Sequence, residues 1–321
     1  MTTSNLYTYQ PDILGEDYQQ LTLNFADDYD GKVVATLVRK KATEATKKAV
    51  LYIHGFADYF FQKEMAEQFN QHGYDFYALD LRKYGRSKLP HQKLYYVLDL
   101  REYDAEISKA LEIIGQENHN QVVLAGHSTG GLIATLYAAH YPDHRLIKAV
   151  WNNSPFYDFY KSVIEKKVGI PLLSEVGKRL PNAKFPSGLN PWYTPSLHKD
   201  FYGEWDFNLD WKPKTMPFVH LCFVTAIHEA QKEIHRGVTL NVPTLIMHSH
   251  QSKFPKKWGI DAQQSDVILD VNDMTQNAKK MKGDVQTLSI QNGLHDLVLS
   301  APPVRAQVYK DLFAWLAEKI Q

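Results

Sequence analysis

The stretch Gln121-Val122-Val123-Leu124-Ala125-Gly126-His127-Ser128-Thr129-Gly130-Gly131-Leu132-Ile133-Ala134 joins a short apolar run to a helix-like run through the pattern G-x-S-x-G. Its reading is strand, sharp turn, helix, with a serine at the tip. In that frame the serine sits on a strained turn with its hydroxyl exposed, a nucleophile elbow. Side chains at positions 126 and 130 would collide with the neighbouring strand and helix, so glycine is required at both. The start of the following helix directs backbone N–H groups at any negative charge that develops beside Ser128.

Outward from the elbow, strand and helix patterns alternate. Gln20–Phe25 alternates with period two, and Lys32–Arg39 follows through the turn Asp28-Tyr29-Asp30-Gly31. Ala49–Ile53 is a continuous apolar run, as expected of a strand buried on both faces. A helix is expected over Phe60–Gln71, a strand over Asp75–Leu81, a long helix over Val97–Gln116 and a strand over Leu146–Trp151. The pattern returns at Asn241–His248 and Asp284–Gln291 and closes with an amphipathic helix over Val304–Ile320. Such alternation specifies an α/β fold with a mostly parallel central sheet flanked by helices. Residues 154–236 break the pattern. They are rich in aromatics and proline, with helix-like pieces at Tyr160–Val168 and Phe218–Ile234 and no clear strand. The expected organisation is a core of residues 1–153 and 237–321, with residues 154–236 as a helical insertion.

Composition removes several classes. The chain has 321 residues, 44% of them hydrophobic, enough for one large core. It carries 36 basic and 36 acidic side chains, and this balance argues against a nucleic-acid partner. Cys222 is the single cysteine, so no intrachain disulfide forms, which suits a reducing, cytoplasmic compartment. The first residues, Met1–Tyr7, show no basic and apolar leader pattern, and no apolar run approaches the ~20 residues of a membrane span.

A serine hydroxyl needs a base, and the base needs an orienting acid. In this frame the order along the chain is Ser, then Asp or Glu, then His, at the C-terminal ends of the strands. The last strand runs into Asn292-Gly293-Leu294-His295-Asp296, which makes His295 the candidate base. His248 and His250 lie one strand too early, and His220, His228 and His235 fall in or beside the insertion. The acid belongs after the strand ending at His248, where Asp261, Asp266, Asp270 and Asp273 are candidates. Asp266 opens an apolar run and is the first choice, with Asp270 second. Either one also fits the part of a helix cap. The oxyanion donors are expected to be the backbone N–H groups of Thr129, directly after the nucleophile, and of Phe56 in the loop His54-Gly55-Phe56-Ala57-Asp58. His54 is expected to buttress that loop.

Taken together, His54-Gly55-Phe56, the D-x-R-x-x-G-x-S segment Asp80–Ser87, the elbow, Val242–Ser249 and Gly293-Leu294-His295 resemble the α/β-hydrolase superfamily. More closely, the chain resembles its monoacylglycerol lipase and lysophospholipase-like branch, grouped with the serine aminopeptidases. The resemblance implies a Ser128–His295–Asp266 triad, since the family's acid lies roughly thirty residues ahead of its histidine. It also implies that residues 154–236 form a cap. Three positions depart from the family pattern. Thr129 replaces the usual Met or Leu, Lys83 replaces a glycine, and Asp266–Val271 differs from the common G-x-x-D. The activity implied is hydrolysis of a small-molecule or lipid acyl ester through an acyl-enzyme, needing no metal or organic cofactor. The same triad serves peptidases, thioesterases, acyltransferases and C–C hydrolases, and non-catalytic relatives of the fold act as binding proteins. For an aminopeptidase, Glu204, Asp206, Asp210 and Glu229 are candidates to hold a free amine. An exposed apolar patch on the insertion would allow transient contact with a membrane.

Overall fold

A computed structural model describes residues 7–215 and 218–320. The chain opens with β1 (Gln10–Asp12), β2 (Gly15–Asp28) and β3 (Gly31–Lys40), then runs β4 (Lys48–Ile53), α1 (Lys63–Gln71), β5 (Asp75–Asp80), α2 (Asp104–Gln116), β6 (Gln121–His127), α3 (Thr129–His140) and β7 (Ile147–Asn153). Between β7 and the next sheet strand come α4 (Ile170–Arg179), β8 (Lys184–Pro186), α5 (Tyr193–Leu197), β9 (Phe218–His220) and α6 (Leu221–Arg236). The chain then returns through β10 (Thr244–Ser249), α7 (Asp261–Gln264), α8 (Val271–Ala278), β11 (Val285–Ile290) and α9 (Pro302–Lys319).

One sheet of nine strands, in the order β1-β2-β3-β5-β4-β6-β7-β10-β11, organises the molecule. The six strands from β5 to β11 in that order are parallel, and β1, β2 and β3 join antiparallel at one side. The continuous apolar runs fall at its centre because both faces are covered. Leu51 and Leu124 point to one face, with Ile107 and Leu111 of α2 and Ile133 of α3. Their chain neighbours Val50 and Val123 point to the other, with Phe69 of α1 and Leu312 of α9. Strand period two thus divides one apolar run between two cores.

The elements depart from the sequence expectations where side chains claim backbone groups. The helix expected from Phe60 starts only at Lys63, because the Phe60 N–H donates to Asp80 Oδ1 at 2.9 Å. The helix expected over Val97–Gln116 is divided. Asp99 is extended and caps a 3₁₀ turn, Leu100–Tyr103, by accepting from Arg101 N at 2.9 Å, and α2 follows. In the insertion, the helix expected over Tyr160–Val168 begins at Val163 and continues through a π turn, Glu165–Gly169, into α4. Pro171 explains the widened turn: it has no N–H to donate backward, and its ring crowds the preceding turn. The insertion also holds strands that the sequence did not signal, β8 paired antiparallel with β9. Each has three residues, too few for a period to register.

Candidate active site

Ser128 takes φ 54° and ψ −117° between β6 and α3, a conformation rare for any residue but glycine. The surrounding glycines permit it. A Cβ on Gly126 would stand 2.4 Å from Gly130 O, and one on Gly130 would stand 2.2 Å from Ile53 O. The Ser128 N–H donates to Asn153 O at 3.0 Å, which ties the turn to the end of β7. Thr129 is the first residue of α3, and the first amides of a helix have no intrahelical acceptor.

His295 and Asp266 meet: His295 Nδ1 lies 2.8 Å from Asp266 Oδ2, with both residues buried. The other carboxylate oxygen accepts from the N–H groups of Ile268 and Leu269, each at 2.8 Å. With its carboxylate held by two amides, Asp266 fixes the Nδ1–H tautomer of His295 and leaves Nε2 as the basic nitrogen. Asp270 has another task. It caps α8, accepting from Asn272 N at 2.9 Å. His54 accepts from Leu81 N through Nε2 at 3.1 Å and bonds Gly55 O through Nδ1 at 2.8 Å, which buttresses the loop bearing Phe56.

Ser128, Thr129, Phe56 and His295 line one cavity of about 510 Å³. Most of its wall is apolar and comes from the insertion, including Phe156, Phe159, Leu173, Phe223 and Ile227. The remainder is polar, and sequence reasoning missed it. Lys212 reaches in from the insertion, and its Nζ lies 2.9 Å from Asp58 Oδ1, with both side chains almost wholly buried. Asp58 Oδ2 is buried without a hydrogen-bond partner among the described residues, and the Tyr193 ring packs 5.4 Å from that of His295. Thr129 Oγ1 is likewise unpartnered. Asp58 stands inside the quoted 54–58 loop and was within reach of a sequence reading. Lys212 carries no local signal.

Asp58, His127 and Asp296 also place one ligand atom each within 4.8 Å of one another. The resident cation there is the Lys212 ammonium, and the Asp296 oxygens accept from Asn153 Nδ2 at 2.6 Å and Gln62 Nε2 at 3.1 Å. Burial pushes the His127 imidazole down to about 4, so it stays neutral near pH 7. None of Glu204, Asp206, Asp210 and Glu229 lines the cavity. Glu204 pairs with Arg305, Asp206 with Lys199, and Glu229 with Lys178 and Lys232. The remaining histidines considered, His220, His228, His235, His248 and His250, do not line it either.

The family model described as serine aminopeptidase, S33, matches residues 44–299, most of the chain. The chain belongs to this family of α/β-hydrolases. Among curated proteins it is 27% identical over 228 residues to a probable lysophospholipase L2 of Haemophilus influenzae, covering 65% of this chain and 69% of that one. It is also 34% identical over 116 residues to mouse (Mus musculus) epoxide hydrolase 4, though the match spans only 36% of this chain and 30% of that protein. Among solved structures it is similar to a monoglyceride lipase from Saccharomyces cerevisiae, with TM-score 0.73 at 18% identity over 98% of this chain and 99% of that one. A monoacylglycerol lipase from Paleococcus ferrophilus gives TM-score 0.61 at 18% identity, over 94% and 99%. The protein thus shares the fold of these lipases. Among the described residues no helix is long and apolar enough to cross a membrane.

Proposed function

We propose that this protein hydrolyses carboxylic esters of long acyl chains with a neutral, hydroxyl-bearing leaving group. The observation that carries the reading is His295, paired with the buried Asp266, lining the same cavity as Ser128 on its strained elbow. Ser128 attacks the acyl carbonyl as His295 Nε2 takes its proton, and Asp266 stabilises the imidazolium. The N–H groups of Phe56 and Thr129 receive the oxyanion, each worth ~3 kcal/mol. His295 returns the proton to the leaving alcohol, and water then releases the acyl-enzyme by the same steps in reverse. Residues 154–236 act as the cap, whose apolar wall takes the acyl chain.

The polar end supports the choice of leaving group. Asp58 and Lys212 cancel each other's charge, while Asp58 Oδ2 still lacks a donor. A hydroxyl can donate to that oxygen, whereas a phosphodiester has no proton to donate to it. The same unpartnered oxygen also favours a second reading, a substrate with a free amine. Burst kinetics on p-nitrophenyl esters of graded chain length, wild type beside Ser128→Ala, test the first. A burst that needs Ser128 and strengthens with chain length is expected. Absence of Ser128-dependent turnover on every ester, with turnover of an aminoacyl anilide instead, would move the assignment to peptide bonds.

A further inference from the structure

Thr129 stands where the family pattern has Met or Leu, and its hydroxyl makes no bond inside the fold. The residue is 2% exposed, its Oγ1 is buried without a hydrogen-bond partner among the described residues, and it lines the cavity beside Ser128. The local backbone explains the missing partner. A helical threonine can give its proton to the carbonyl four residues back, as Thr135 does to Gly131 O at 2.8 Å. Thr129 opens α3, and the residue four back, Ala125, lies in β6, paired with Tyr52 and Trp151. The carbonyl at the head of the helix, Ser128 O, already accepts from the N–H groups of Gly131, Leu132 and Phe156 at 3.0, 3.2 and 2.9 Å. A buried hydroxyl left unpaired weakens the fold, so one placed beside the nucleophile points to a ligand oxygen.

Position identifies that oxygen. The N–H of the same residue is directed at the oxyanion. In two of the three staggered rotamers a threonine hydroxyl is gauche to its own backbone nitrogen, so an acceptor held by that N–H is also within reach of the hydroxyl. As Ser128 Oγ bonds to the acyl carbon, its proton passes to His295 Nε2 and the carbonyl π pair withdraws onto the oxygen. The resulting anion has lone pairs for three donors and is a stronger acceptor than the carbonyl was. A hydroxyl with no competing acceptor in the fold is free to turn to it as the charge develops.

Resting on the acyl-ester reading of the cavity, we propose that the Thr129 hydroxyl is a third donor to the oxyanion, beside the N–H groups of Phe56 and Thr129. Thr129→Val keeps the shape and removes the donor. It is expected to lower kcat on p-nitrophenyl butyrate about 10²-fold and to leave KM within about twofold, because the bond strengthens only as charge forms. Its melting temperature should be no lower than that of the wild type, since valine relieves an unpaired buried donor. Thr129→Ser, which keeps the hydroxyl, should restore most of the rate. A second readout needs no turnover. An alkyl trifluoromethyl ketone adds to Ser128 as a hemiketal with the same oxyanion, and its affinity is read by fluorine NMR with Ser128→Ala as the blank. Thr129→Val should bind it at least about tenfold more weakly. An undiminished kcat, a loss confined to KM, a serine variant as slow as the valine one, an unchanged hemiketal affinity, or a wild type that forms no hemiketal would each overturn the assignment. Failure of Ser128-dependent ester hydrolysis would instead strike the ester chemistry, and the hemiketal affinities of the Thr129 variants would still decide the part played by the hydroxyl.

Discussion

Asp266 and Asp270 are four residues apart and chemically identical, yet their surroundings give them different work. One carboxylate meets His295 and two amides, whereas the other caps a helix. On the proposed mechanism, Asp266→Asn lowers kcat by about 10⁴-fold, since the asparagine favours the wrong tautomer. Asp270→Ala should leave kcat nearly unchanged and cost about 1 kcal/mol of stability as a lost cap. Steady-state kinetics and denaturant melts on the pair check both statements. The Lys212–Asp58 pair obeys a different rule. Lys212→Met strands a buried carboxylate and should cost about 3–5 kcal/mol, while Lys212→Met with Asp58→Asn should recover most of it. A double variant no more stable than the single one would show that the pair carries no coupling. Lys83 shows why the family favours glycine at its position: φ there is 65°. The residue holds the left-handed conformation while its Nζ lies 2.8 Å from Asp28 Oδ2 and 4.6 Å from the centre of the Tyr29 ring. A buried ion pair thus offsets the strain of a side chain where none is usual.

At the level of elements, the cavity depends on how closely α4 approaches α6. Gly177 permits that approach, and the Thr225 hydroxyl donates to Ser174 O at 3.0 Å across it. Gly177→Val should push α4 outward and widen the cavity. The expected outcome is a several-fold rise in KM for long-chain esters, little change in kcat for a short one, and faster proteolysis within residues 163–180. Unchanged KM across chain lengths would mean that α4 does not shape the acyl site. The elbow responds differently. Its glycines face backbone atoms at 2.2–2.4 Å, so a methyl group there has nowhere to go and refolding around it is not available.

Across the whole molecule, acid stability follows from groups buried in one protonation state. Burial holds the His127 imidazole at about 4, below its unfolded value near 6.5. Between those values the unfolded chain binds the extra proton and the native one does not. Stability from this residue is therefore full above pH ~6.5 and falls by about 3 kcal/mol as pH drops to ~4. Thermal melts against pH should show this acid limb, and His127→Leu should flatten it. Much of the architecture was legible beforehand. The parallel sheet is written in continuous apolar runs, and the elbow in glycines whose need is local, because a backbone that must turn sharply leaves only a few residue types able to do so. His295 was legible from its place just past the last strand. The bounds of α1 and α2 were not, since Asp80 and Asp99 claim amides that propensity alone would assign to helix. Nor was Lys212 beside Asp58, since the two are 154 residues apart in sequence. Local pattern records which residues are apolar or charged and with what period. Which segments become neighbours, and which apolar face is left uncovered, is settled only when chain regions far apart in sequence pack together, and those contacts leave no periodic trace in either partner.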